Sequence, residues 1–120
     1  MQPGAMARLH HLALRTPDVP RLVAFYREWF GFVVARESLP RAVWLALEPG
    51  AVLMIERASP DEPAVPLASL ELAAFAVSAH ERAVLREKLV HANKLEAETQ
   101  HTLYFRDPDG RRVGASSYAF

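Results

Sequence analysis

The same order of predicted elements occurs twice along this 120-residue chain, and this repetition restricts its fold more than any other feature. In each half, hydrophobic spacing predicts a strand, a helix and three further strands. Landmarks in a helix, a strand and a turn recur about 60 positions apart. These landmark pairs are Phe25 and Leu85, Trp44 and Tyr104, and Gly50 and Gly110. Few residues are identical between the halves, so the duplication is inferred from pattern.

The first half begins with a period-two alternation in residues 9–16, which predicts a strand with one face on a core. Asp18 is then expected to cap a helix that ends at Gly31, because the apolar residues between them recur at helical spacing. Three further strands are predicted at residues 32–37, 41–48 and 51–57.

The second half opens with a strand predicted at residues 70–77. Ser78 and Glu81 have the spacing of a capping box, which predicts the start of a helix that ends near Asn93. The remaining strands are predicted at residues 94–98, 102–106 and 111–118.

Proline-rich residues 59–69 contain little that could pack in a core, and they are predicted to link the two halves. We expect a single domain over residues 1–120, because a chain of this length usually forms one domain. Its first module is predicted at residues 8–58 and its second at residues 70–120.

Composition excludes several classes of function. Fourteen basic residues balance fourteen acidic ones, so nothing favours nucleic-acid binding. The chain has no cysteine, which excludes disulfides, thiolate zinc sites and cysteine nucleophiles. No apolar run approaches the roughly 20 residues that span a bilayer. The opening run from Met1 to Met6 is too short and too polar for a signal peptide to be expected there. A cytoplasmic location without membrane association is expected.

Five short motifs are distinctive: His11-Leu12-Ala13-Leu14, Pro17-Asp18, Ala24-Phe25-Tyr26-Arg27, Phe30-Gly31-Phe32 and the run from Tyr104 to Gly110. Together they resemble motifs of the vicinal-oxygen-chelate superfamily, which contains glyoxalases, bleomycin resistance proteins and extradiol dioxygenases. The resemblance implies an α+β fold of two βαβββ modules that form a curved mixed sheet around a concave site.

The resemblance also implies positions for metal ligands. Enzymes of this superfamily hold a divalent metal with a His and a Glu from each module. At the matching positions of this chain stand His11, Glu56, Leu72 and Gly114. Leucine and glycine side chains cannot coordinate a cation, so two of the four ligands remain, and no cofactor is expected.

The predicted function is binding of a small, partly apolar organic molecule in the concave site, without an intact four-ligand metal site. The expected lining residues are Trp44, Met54, Leu72 and Tyr104, with His11 and Glu56 as polar contacts. An enzymatic alternative is a divalent-metal-dependent lyase, isomerase or dioxygenase in which His11 and Glu56 are metal ligands. In a metal-free variant the same two residues are the catalytic acid and base.

A third alternative is a non-catalytic accessory protein with a degenerate site. Whether the chain is an enzyme stays open at this point. We further expect a homodimer, because symmetric dimers are the commonest assembly. Pairing of the modules within one chain or between two chains is left open by the sequence.

Overall fold

A computed structural model of the chain describes Gly4 and residues 6–120. The chain divides into two units, Met1–Glu62 and Pro63–Phe120, and the division falls inside the segment predicted as a linker. Each unit contains a strand, a helix and three further strands, in the predicted order. In the part of the chain described, no helix has the length and apolar character needed to cross a membrane.

The first unit consists of β1 (His11–Thr16), α1 (Val19–Phe30), β2 (Val33–Ser38), β3 (Ala42–Glu48) and β4 (Ala51–Arg57). Its four strands form a mixed sheet in the order β1-β4-β3-β2. The β1–β4 pair is parallel and the other pairs are antiparallel. A parallel β1–β4 pair needs a crossover, and this one contains α1 and the β2–β3 hairpin.

The ends of α1 are fixed by the predicted residues. The backbone N–H of Arg21 donates to Asp18 Oδ1 at 3.1 Å, which satisfies one of the free amides of the first turn. Gly31 has a φ of 72°, and its N–H donates to the carbonyl of Arg27. Between these caps, one side of the helix packs on β3 and β4. The buried residues of α1 are Val19, Leu22, Phe25, Tyr26 and Trp29.

The second unit consists of β5 (Leu72–Ala76), α2 (Ala79–His91), β6 (Ala97–Glu98), β7 (Thr102–Arg106) and β8 (Arg112–Ser116). Its strands form a separate mixed sheet in the order β5-β8-β7-β6, so each module has its own sheet. The predicted capping box is confirmed: Glu81 N–H donates to Ser78 Oγ at 3.0 Å, and Ser78 N–H donates to Glu81 Oε1 at 2.7 Å. The bond from the Ser78 N–H lowers the pKa of Glu81.

The strand predicted at residues 94–98 is shorter in the structure, where β6 contains only Ala97–Glu98. The reason lies at the end of α2. Asn93 has a positive φ of 57°, and Lys94 N–H donates to the carbonyl of Leu89 at 2.9 Å. These residues therefore complete the helix end and are not available to pair as a strand.

Candidate functional site

The residues predicted to form the site lie on the sheet surfaces that point away from the helices. Along β4, the buried residues Leu53 and Ile55 alternate with Val52, Met54 and Glu56, which are partly exposed. We call this side of the first sheet the first face. It carries His11, Ala13, Arg15, Arg36, Trp44, Val52, Met54 and Glu56. The corresponding side of the second sheet is the second face, with Leu72, Ala74, Tyr104, Arg106, Arg112 and Gly114.

The two sheets have matching registers, which relates their residues one to one. In the first sheet, β1 and β4 pair His11 with Val52, Ala13 with Met54 and Arg15 with Glu56. In the second sheet, β5 and β8 pair Leu72 with Arg112, Ala74 with Gly114 and Ala76 with Ser116, in the same order. His11 therefore corresponds to Leu72, as the sequence predicted. Gly114, however, corresponds to Met54, and Glu56 corresponds to Ser116. The resemblance placed Glu56 and Gly114 at equivalent positions, and the registers do not.

The structure does not bring His11 and Glu56 together. His11 lies opposite Val52, whereas Glu56 lies opposite Arg15, four residues farther along β4. At about 3.3 Å of rise per residue, four residues separate the two positions by about 13 Å. The hydrogen-bonded acid–base pair considered from the sequence is therefore not formed, and the two side chains do not make a half-site for one metal ion.

Glu56 is engaged by an arginine instead. Arg15 Nη1 lies 3.1 Å from Glu56 Oε1, and Arg15 Nε lies 2.6 Å from Glu62 Oε1. The pKa of Arg15 is raised, first by the hydrogen bond to Glu62 and then by the one to Glu56. The carboxylate at position 56 is thus half of an ion pair at one end of the first face.

His11 lies at the other end of the first face and contacts a second imidazole. Its Nδ1 is 2.9 Å from Nδ1 of His10, and the two exposed rings meet edge to face. In such a pair one nitrogen donates and the other accepts, so each ring keeps its Nε2 for another partner. His11 Nε2 is therefore a polar group at this end of the first face.

On the second face, Leu72 fills the space over Gly114. A Cβ built on Gly114 would lie 3.3 Å from Leu72 Cδ1 and 3.3 Å from the carbonyl oxygen of Leu103. Gly114 is itself buried. The position that would hold a carboxylate ligand is therefore closed by an apolar side chain.

These donors do not fit a four-ligand metal centre. No nitrogen or oxygen ligand comes from the side chains of Leu72, Gly114 or Met54, the residue of the first sheet that corresponds to Gly114. Glu56 is paired with Arg15. Within residues 4 and 6–120, no three or more His, Asp or Glu side chains form a group that could hold a metal ion.

Trp44 and Tyr104 occupy corresponding positions in the two sheets, since Trp44 lies opposite Met54 and Tyr104 lies opposite Gly114. The side chain of at least one arginine contacts each of these rings. Arg36 Cζ is 5.1 Å and Arg41 Cζ is 5.7 Å from the ring centre of Trp44. Distances under about 6 Å are those of cation–π contacts. The indole is partly buried, so it retains some exposed surface.

Tyr104 is covered by Arg112, whose Cζ lies 4.2 Å from the ring centre. Arg112 Nε in turn lies 3.0 Å from Glu96 Oε1. Glu96 also accepts hydrogen bonds from Arg106, and its pKa is lowered chiefly by that bond. Both arginines of the second face are therefore ion-paired with the same carboxylate.

The arginines on both faces were not predicted as site residues. Arg36 follows a bulge in β2 and lies directly across from Trp44, a relation that depends on the register of two strands. A groove of about 320 Å³ in the first unit was also missed. It is lined by Arg8, Leu9, His10, Glu48, Pro49 and Gly50, none of which was predicted to bind a ligand.

Comparison with known proteins gives a family and a set of similar folds. The model of the Glyoxalase/Bleomycin resistance protein/Dioxygenase superfamily matches residues 8–114. A possible glyoxalase from Bacillus cereus is 19% identical with a TM-score of 0.76, over 93% of this chain and 99% of that one. A lactoylglutathione lyase from Agrobacterium tumefaciens is 18% identical with a TM-score of 0.70, over 95% of each chain.

A third structure is an E126Q mutant of the fosfomycin resistance protein FosX from Listeria monocytogenes, complexed with Mn(II) and 1S,2S-dihydroxypropylphosphonic acid. It is 16% identical with a TM-score of 0.73, over 97% of this chain and 96% of that chain. No curated protein matches the sequence. At these identities the structural likeness establishes the fold alone.

Proposed function

The chain belongs to the Glyoxalase/Bleomycin resistance protein/Dioxygenase superfamily, and on this premise we propose that it binds a small, partly apolar organic molecule without a four-ligand metal site. We assign the molecule to the first face. The proposal concerns binding and not catalysis, because His11 and Glu56, the acid–base pair predicted from the sequence, do not lie together.

The observation that carries the proposal is the apolar strip across the middle of the first face. Trp44 lies directly opposite Met54, and Met54 lies directly opposite Ala13. Trp44 and Met54 are both partly exposed, whereas the alternate residues of the same strands are buried under α1. An indole and a thioether side by side suit a flat apolar ligand, since the first stacks and the second adapts its shape.

Polar groups lie on the two sides of this strip. His11 lies on one side and the Arg15–Glu56 ion pair on the other, separated by about 13 Å along the strands. That gap admits a molecule of two or three fused rings with polar substituents. A few polar groups around an apolar surface are typical of small-molecule sites.

The second face is a weaker candidate for the same role. Leu72 and Tyr104 were also predicted to line the site, but Leu72 packs over Gly114 and Arg112 covers the ring of Tyr104. Arg112 lies nearer the ring of Tyr104 than either arginine lies to the ring of Trp44, and it is also held by Glu96. Leu72 and Arg112 therefore already occupy the second face. A ligand would have to displace them before it could use that surface.

The metal-dependent alternative has no support from the positions of His11 and Glu56, because the register separates them. The accessory-protein alternative predicts no ligand at all, so a binding experiment distinguishes it. Homodimer formation and a cytoplasmic location stay predictions from the sequence.

We expect naphthalene-2-carboxamide, a neutral two-ring probe, to bind the full chain saturably at Trp44. The chain has two tryptophans, and Trp29 is buried in the core with 8% of its surface exposed. In a ¹H–¹⁵N correlation spectrum, the indole N–H signal of Trp44 should shift with the probe while that of Trp29 stays in place. Trp44→Phe assigns the two signals.

The matched pair of variants for this titration is Met54→Lys and Ala24→Lys. Met54 lies in the strip, whereas Ala24 is exposed on α1, and both substitutions introduce one positively charged lysine side chain. Binding should be lost in Met54→Lys and retained in Ala24→Lys. Equal affinity in both variants, or no saturable shift in the unaltered chain, would contradict the proposed function.

A further inference from the structure

The two faces differ in how their arginines are neutralised. On the second face, the arginine over Tyr104 forms an ion pair with Glu96. On the first face, two arginines contact the ring of Trp44. Because Trp44 and Tyr104 occupy corresponding places, the second face shows an arginine at this position that is held by a carboxylate.

Arg36 and Arg41 form no such ion pair within their own unit. Every Asp and Glu of the first unit lies in the described part of the chain, and none of them is within ion-pair distance of either guanidinium. Two cations held near one aromatic ring repel each other. The pair therefore raises the local positive potential at the edge of the apolar strip, in a chain whose formal net charge is zero.

We propose that Arg36 and Arg41 select a ligand that carries an anionic group, a carboxylate or a similar planar oxyanion, next to its flat apolar part. This inference rests on the proposed function and names the class of molecule that the first face takes. The guanidinium group matches a carboxylate in shape and in hydrogen-bond donors, so it distinguishes an anion from a neutral amide of the same size.

The positions of these residues give the ligand an orientation. Arg36 lies across from Trp44 on β2, and Arg41 directly precedes β3. Both therefore lie on the side of the strip away from β1. An anion bound there leaves the apolar part of the molecule over Trp44 and Met54, and its far end points toward β1.

The test compares naphthalene-2-carboxylate with naphthalene-2-carboxamide, which share the ring system and differ in charge. We expect the carboxylate to bind the unaltered chain about tenfold more tightly than the amide, a difference of about 1.4 kcal/mol. The double variant Arg36→Gln/Arg41→Gln should remove this difference. The double variant Arg21→Gln/Arg27→Gln, which removes two exposed arginines from α1, should preserve it.

Affinity for the carboxylate should also fall as salt is raised, since exposed charges are screened, while affinity for the amide stays constant. Equal affinities of the carboxylate for the two double variants would overturn the inference. If the amide shifts the Trp44 signal and the carboxylate binds no more tightly, the anion preference fails and the proposed function stands. If neither compound shifts the Trp44 signal, both fail.

Discussion

Gly114→Glu should lower the free energy of unfolding by about 2–4 kcal/mol and should not create a metal ligand. Any side chain at this position begins with a Cβ that lies 3.3 Å from both Leu72 Cδ1 and the carbonyl oxygen of Leu103. The backbone oxygen belongs to a paired strand and cannot move far. A carboxylate that extends from this buried position also loses part of its hydration.

Two variants separate these contributions in urea denaturation. Ala74→Glu puts the same carboxylate on the neighbouring strand at an exposed position, and it should cost less than about 0.5 kcal/mol. Leu72→Ala/Gly114→Glu removes the leucine methyls from the path of the new side chain, so its cost should be less than the sum of the two single changes. A Gly114→Glu variant as stable as Ala74→Glu would show that Leu72 does not close this position.

Asp107→Ala should lower the free energy of unfolding by about 3 kcal/mol, because it leaves buried donors without an acceptor. The Asp107 residue is only 4% exposed. Its Oδ1 accepts from the backbone N–H of Asp109 at 2.9 Å and of Arg111 at 3.0 Å, and Oδ2 lies 3.2 Å from Arg111 Nη1. This carboxylate therefore holds the turn that leads into β8.

Asp109→Ala is the matched control in the same turn. Asp109 accepts from Arg111 Nη1 at 3.0 Å, but among the described residues no backbone N–H donates to its carboxylate. Its loss should cost about 1 kcal/mol or less. Equal losses for the two variants would mean that the ion pairs with Arg111, and not the backbone bonds to Asp107, hold the turn.

The element order could be predicted from the sequence because its signals are local. Asp18 and Gly31 bound α1, and Ser78 and Glu81 start α2, through contacts within a few residues of each other. The end of α2 was harder to predict. The bond from Lys94 N–H to Leu89 uses a backbone conformation at Asn93 that hydrophobic spacing does not reveal.

The candidate site could be predicted only in part, because strand alternation identifies a face and not a register. Met54 and Glu56 lie on the same face of β4, and a shift of two residues leaves the alternation unchanged. The sequence alone therefore could not decide which of them corresponds to Gly114. The Arg15–Glu56 and Arg36–Trp44 contacts also depend on strand register, because each joins residues on two different strands. Neither contact could therefore be predicted from the sequence.

The central claim, that this chain has a ligand-binding face without the metal site of its enzymatic relatives, is tested most directly by metal uptake. Metal-stripped chain is dialysed against Co²⁺ or Mn²⁺, and bound metal is measured by elemental analysis beside a His11→Ala variant. We predict no stoichiometric uptake and no difference between the two proteins. One equivalent of metal per chain that is lost in His11→Ala would contradict the claim.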